Sequence, residues 1–128
     1  MQLQDILYSQ GFGTRRVCAG LIQQGHVQVY EQNNASEPVE YAQAAMEFEA
    51  TGLRFRVQGE DWAYHEKAYL MLHKPAGTEC SQKPSTWPSI YTLLPSPLRL
   101  RPNKGAVQGV QAIGRLDQDT TGLLLLSD

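Results

Sequence analysis

Residues 114–128 read Gly-Arg-Leu-Asp-Gln-Asp-Thr-Thr-Gly-Leu-Leu-Leu-Leu-Ser-Asp. A polar turn over 117–121 lies between two apolar stretches, 110–116 and 122–127, and this pattern predicts two strands joined by a short connection. Between Gly114 and Gly122 the turn gathers one cation, two carboxylates and two hydroxyls. Loops held by rigid strands are where reactive groups are commonly presented. On turn chemistry alone, the favoured reading of Asp117 and Asp119 is that they hydrogen-bond the turn backbone.

Upstream, Ala68-Tyr69-Leu70-Met71-Leu72 is a short apolar run stopped by His73-Lys74-Pro75-Ala76-Gly77. The run predicts a strand buried on both faces. Pro84, Pro88, Pro95, Pro97 and Pro102 punctuate the next section, leaving mostly loop with one short helical piece near 89–94. The charged stretch 60–67 has no period and reads as a linker. Before it, Leu3, Ile6 and Leu7 recur at helical spacing until the Gly11-Phe12-Gly13 break. Thr14 offers the N-cap of a second helix with Val17, Cys18, Leu21 and Ile22 on its apolar side and Gly25 at its end. The period then changes to two at Val27 and Val29, and an Asn33-Asn34 turn comes next. Residues 35–50 suit a helix through their alanines and a strand through Met46, Phe48 and Ala50, and both readings stay open. Leu53, Phe55 and Val57 alternate with Arg54 and Arg56 as a half-buried strand ending at Gly59. The expected class is therefore α+β. A helix-helix-strand module over 1–59 is followed by the linker and then, over 68–128, by the start of a mixed, mainly antiparallel β domain.

Composition bounds the function. A chain of 128 residues that is 41% hydrophobic is globular rather than disordered. With 11 basic against 13 acidic residues the formal charge is -2, so attraction to nucleic acid requires a local basic patch. Cys18 and Cys80 lie far apart without CxxC or Cys/His spacing, which argues against a metal site and a disulfide framework and for a reducing cytoplasm. No phosphate-binding GxxxxGK[ST] loop occurs. The N-terminus carries no basic-then-apolar signal pattern, and the longest apolar run, 123–126, is far too short to span a bilayer, so no membrane partner is expected.

Three motifs occur in order. Gly114-Arg115-Leu116-Asp117 with Thr120-Thr121-Gly122-Leu123-Leu124-Leu125-Leu126-Ser127-Asp128 resembles the signature G-R-L-D-x-x-[ST]-[ST]-G-L-[LV]-[LI]-[LM]-[ST]-x-D of bacterial ribosomal-RNA pseudouridine synthases, the final acidic position falling one residue early. Tyr69-Leu70-Met71-Leu72-His73-Lys74-Pro75-Ala76-Gly77 is similar to Y-[LF]-[ML]-L-N-K-P-x-G of the same family, with His73 in place of asparagine. Pro88-Ser89-Ile90-Tyr91-Thr92-Leu93-Leu94-Pro95 resembles the corresponding stretch of the small-subunit, A-type branch. At the N-terminus, Leu3-Gln4-Asp5-Ile6-Leu7, Thr14-Arg15-Arg16 and the segment 21–29 look like a small RNA-binding module shared with a small-subunit ribosomal protein. Tyr30-Glu31 replaces that module's asparagine-glycine, and Arg15, Arg16 and His26 are the groups left to meet phosphate.

The resemblance implies an isomerase that turns a specific uridine of small-subunit ribosomal RNA into pseudouridine, without cofactor or metal. Asp117 is the catalytic carboxylate it implies. Arg115 would enter the space vacated by the flipped base, and Asp119 and Thr120 would orient the loop by side-chain hydrogen bonds. Lys74 reads equally as a phosphate contact or a surface lysine, while Arg15 and Arg16 would contact RNA from the N-terminal module. A cytoplasmic monomer acting on ribosomal RNA is expected. Family members continue further, with a tyrosine that stacks on the base and a basic residue near the carboxylate. The chain is accordingly expected to be truncated and inactive alone. The alternative is a non-catalytic RNA-binding protein using only the helical module.

Overall fold

In the N-terminal part, Leu3, Ile6 and Leu7 are completely buried on one side of α1 (Leu3–Ser9). Cys18 and Ile22, one helical turn apart, are buried on α2 (Arg15–Gln23). The computed structural model describes residues 1–31, 37–102 and 108–128. The expected Asn33-Asn34 turn lies outside them. Thr14 caps α2, its hydroxyl oxygen accepting the Val17 N–H at 3.2 Å. Gly25, with φ of 82°, takes the left-handed conformation that ends the helix. Val17 departs from the expected apolar side. It is half exposed and packs over Gly13, where an added Cβ would lie 2.9 Å from it.

Four antiparallel strands complete this unit: β1 (Val27–Val29), β2 (Val39–Glu40), β3 (Arg54–Val57) and β4 (Glu60–Ala63), in the order β2-β1-β3-β4. Val27, Val29, Phe55 and Val57 point into one core with the buried residues of the two helices. The stretch expected to be a linker is in part β4. Gln58 and Gly59 both have positive φ, 51° and 86°, as a two-residue hairpin turn requires, and Val57 pairs with Glu60 across it. Trp62 on β4 packs edge-on against Phe12 at 5.3 Å, which holds an otherwise charged strand in place. Residues 44–48 are neither helix nor regular strand, because their carbonyls serve α1. Leu3 N–H bonds Met46 O at 2.8 Å and Gln4 N–H bonds Ala44 O at 3.0 Å, satisfying donors that a helix start leaves open.

The chain divides into two compact units, Met1–Glu66 and Lys67–Asp128. In the second, β5 (Tyr69–Lys74), β6 (Gln111–Ile113) and β7 (Gly122–Ser127) form an antiparallel sheet in the order β5-β7-β6. Lys74 pairs with Gly122 and Tyr69 with Ser127, so the two ends of β7 match those of β5. Ala68, Leu124 and Leu126 pack with Ile90, Tyr91 and Val110 in its core. Tyr91 lies on a single 3-10 turn, Ile90–Leu93, and its hydroxyl accepts the Ala112 N–H at 3.1 Å. The proline-punctuated section holds a second piece as well, α3 (Ser96–Leu100), which starts after Pro95 with Pro97 in its first turn, where a missing N–H costs nothing. The expectation that β5 is buried on both faces is overturned. Tyr69 and Met71 are 78% and 77% exposed, and Ile113, Leu123 and Leu125 on the same face are exposed as well. Only the face carrying Leu70, Leu72 and Lys74 is covered by described residues, so the strand alternates despite its apolar run. Among the described residues no helix is long and apolar enough to cross a membrane.

Candidate active site

The loop between β6 and β7 is fixed through its backbone. Thr120 N–H bonds Asp117 O at 3.0 Å, closing a β-turn over residues 117–120. Gly77 N–H donates to Gln118 O at 2.5 Å, tying this turn to the one that succeeds β5. Cys80 Sγ lies 3.4 Å from Leu116 O and 3.5 Å from Leu116 N, so one thiol meets both backbone groups just before Asp117. The fourth tie is Lys74. Its ammonium donates to Thr120 O at 2.8 Å and Pro75 O at 3.1 Å and stands 3.5 Å from Gln118 O.

Of the two readings of Lys74, the surface lysine is corrected: the side chain is completely buried. A lysine charge is kept from water only where it is well paired, and here the partners are loop carbonyls rather than a carboxylate. Thr120 contributes through its backbone N–H and carbonyl; among the described residues, neither its hydroxyl nor the Asp119 carboxylate makes a hydrogen bond. Asp119 is exposed. Sequence reading missed the ties made by Lys74, Gly77 and Cys80. A glycine two residues beyond the Lys74-Pro75 pair, with φ of 82°, was the available signal for a close backbone approach.

Asp117 itself is exposed, and among the described residues its carboxylate has no hydrogen bond or ion pair. The turn-stabilising role favoured by turn chemistry is therefore carried by the Asp117 carbonyl and not by its side chain. Arg115 is likewise exposed and forms no ion pair with Asp117. Asp117, Arg115, Lys74, Asp119 and Thr120 are thus brought together at the ends of β5, β6 and β7.

Arg15 and Arg16 belong to the other unit, at the start of α2. Arg15 is engaged locally, 2.5 Å from Asp5 and 4.2 Å above the Tyr8 ring, whereas Arg16 is exposed. The formal charge of -2 conceals a division. Residues 1–66 hold four basic and nine acidic residues, a net -5, and residues 67–128 hold seven basic and four acidic, a net +3. The excess of positive charge therefore lies in the second unit.

Asp128 closes that unit. Its buried carboxylate accepts the Ala68 N–H at 2.8 Å and meets Arg101 Nε at 2.6 Å. Burial pushes this carboxyl up, but the Ala68 N–H and the Arg101 guanidinium outweigh it and hold the group below the usual aspartate range. Among the described residues no cluster of three or more histidine, cysteine or acidic side chains could hold a metal ion.

Residues 68–128 match the RNA pseudouridylate synthase family and residues 1–29 match the S4 domain. The chain is similar to the ribosomal small subunit pseudouridine synthase A of Pasteurella multocida, with 43% identity over 60 residues, 47% of this chain and 22% of that one. It is also similar to the same-named protein of Vibrio cholerae, with 38% identity over 71 residues, 56% of this chain and 27% of that one. Likeness to the uncharacterized RNA pseudouridine synthase YtzG of Bacillus subtilis extends over 100% of this chain and 48% of that one, at 30% identity. A crystal structure of a pseudouridylate synthase aligns over 98% of this chain and 47% of that one, with a TM-score of 0.40 and 26% identity. The chain spans about half the length, or less, of the relatives it matches.

Proposed function

We propose, from the match of residues 68–128 to the RNA pseudouridylate synthase family and of residues 1–29 to the S4 domain, that this protein takes part in converting a uridine of small-subunit ribosomal RNA to pseudouridine. The reaction breaks the bond between the ribose and a ring nitrogen of uracil, turns the base and rejoins it through a ring carbon. The carbon gives up a proton and the nitrogen gains one, so neither a redox partner nor an energy source enters. A carboxylate can serve the separated sugar and base as nucleophile or as proton acceptor. Asp117 is assigned that role.

One observation carries the assignment: the Asp117 side chain is spared from holding the turn, while the backbone on both sides of it is tied down by Cys80, Gly77 and Lys74. A reactive group needs this combination, because effective catalysis requires fixed position and leaves the functional atoms unengaged. A uridine in folded RNA must leave its stack to reach such a group, at a cost of roughly a few kcal/mol. Arg115, two residues away and unpaired, is the group proposed to fill the vacated space or to meet a phosphate. Lys74 is assigned to positioning the loop rather than to phosphate. RNA binding by the first unit alone has less support, since that unit is net -5 and Arg15 is already paired with Asp5.

The test is pseudouridine mapping of small-subunit ribosomal RNA from cells whose own gene carries Asp117→Asn. Loss of one pseudouridine is expected. An unchanged modification pattern overturns the role of Asp117.

A further inference from the structure

Two clefts in the second unit meet beside the Asp117 loop. One, of about 510 Å³, is lined by Gln82, Pro88, Tyr91, Thr92 and Arg99 among others. The other, of about 430 Å³, runs from Gln82 and Lys83 past Tyr91 to Gly114 and Arg115, two residues before Asp117. Gln82 and Tyr91 line both, so the two clefts adjoin and define one candidate path. Among the described residues its lining contains three cations, Arg99, Lys83 and Arg115, and no carboxylate. None of the three makes an ion pair with a described residue.

Asp117 and Asp119 stand on the neighbouring loop, and the acid beside Cys80 at the other end of this lining is engaged elsewhere. Glu79 turns into the 79–89 loop, where its carboxylate accepts the N–H groups of Trp87 at 2.7 Å and Thr86 at 3.0 Å. That arrangement fixes the loop and leaves the Trp87 indole 46% exposed, against Gly77. Gly77 is the residue whose N–H holds Gln118. A solvated aromatic ring thus stands beside the tie to the Asp117 turn, on the loop that borders a cationic path.

A path of unpaired cations with an adjacent exposed ring is the combination that single-stranded nucleic acid recognises: phosphates follow the charges and a base stacks on the ring. We propose that the unpaired RNA flanking the target uridine lies along this path, with Lys83 and Arg99 as phosphate contacts and Trp87 as a stacking surface. The proposal rests on the reading that the Asp117 loop acts on RNA, and it assigns the strand's course to three residues outside the three sequence motifs.

The experiment titrates the 128-residue chain into a short, labelled, uridine-rich single-stranded RNA and tracks anisotropy over a series of salt concentrations. For a single strand, the slope of log affinity against log salt falls by about 0.7 for every cation taken off a phosphate, so Lys83→Gln with Arg99→Gln should lower it by about 1.4. Trp87→Ala should weaken binding roughly tenfold or more with the slope unchanged. All three side chains are exposed, and circular dichroism of the variants checks that they fold as the parent does. Absence of salt-dependent binding by the parent chain, or an unaltered slope in the double variant, overturns the proposal. Pseudouridine mapping with Asp117→Asn, run beside this titration, separates the two readings, since the path can fail here while Asp117 still controls modification in cells, and the reverse.

Discussion

Replacing Lys74 with methionine tests the least expected feature of the site. Methionine keeps the length and apolar stem but removes the ammonium, leaving the carbonyls of Thr120, Gln118 and Pro75 without their shared donor. Two of the contacts, at 2.8 and 3.1 Å, have full hydrogen-bond length, and the third, at 3.5 Å, is at the limit. At about 1.5–3 kcal/mol for each bond to a charged donor, the two good ones are worth about 3–6 kcal/mol. Two effects reduce that loss. The variant no longer keeps a charge from water, a cost of several kcal/mol per ion, and Gln118 is exposed, so water reaches its carbonyl once the loop loosens. We expect a net weakening of about 2–3 kcal/mol, confined to the loop. Hydrogen exchange reads it directly at two amides, Gly77, bonded to Gln118 O, and Thr120, bonded to Asp117 O. Their exchange should accelerate by roughly 30- to 150-fold, taking about 1.36 kcal/mol per tenfold, while the β5–β7 ladder amides keep their protection. Parent-like protection at Gly77 and Thr120 would mean that Lys74 does not hold the loop.

Asp128→Ala should cost the second unit about 3–5 kcal/mol in urea unfolding, because it removes the carboxylate that meets the buried Arg101 guanidinium; a loss under about 1 kcal/mol refutes the pairing as a stabilising element. The depressed carboxyl of Asp128 contributes stability that is present above the unfolded aspartate value of about 3.9 and is lost as pH falls through the lower folded value. Asp128→Asn should therefore flatten the acid limb of a stability-pH curve. Flattening will be partial, because Glu79, held low by the Trp87 and Thr86 N–H groups, acts in the same direction. Cys18 is buried and its thiol is pushed up to about 11, so a thiol reagent at neutral pH should modify Cys80 first and reach Cys18 only as the first unit opens. Two equally fast thiols would contradict the packing of α2.

Local chemistry decides the part of the structure that was legible in the sequence. The Thr14 cap, the Gly25 stop, and the strands around Val27, Phe55 and Leu124 each derive from a residue's own backbone preference or from a two-residue period. The features that escaped are set by distant neighbours. β4 is charged, and it is a strand because Gln58 accepts a positive φ and because Trp62 finds Phe12 some fifty residues earlier. An apolar run such as residues 68–72 announces a strand but cannot say which of its faces will be covered, and Tyr69 and Met71 proved to face outward. At the site, the position of Asp117 was visible while its supports were not. A lysine is read as a surface residue by default, and its burial here depends on three carbonyls, two of which arrive more than forty residues later.

The division of formal charge, -5 in one unit and +3 in the other, bears on how the molecule meets a polyanion before any contact forms. Each unit answers a polyanion on its own terms: the field of the first repels it and that of the second attracts it. In physiological salt, fields fade over about 8 Å, so either response acts only in the last stage of approach.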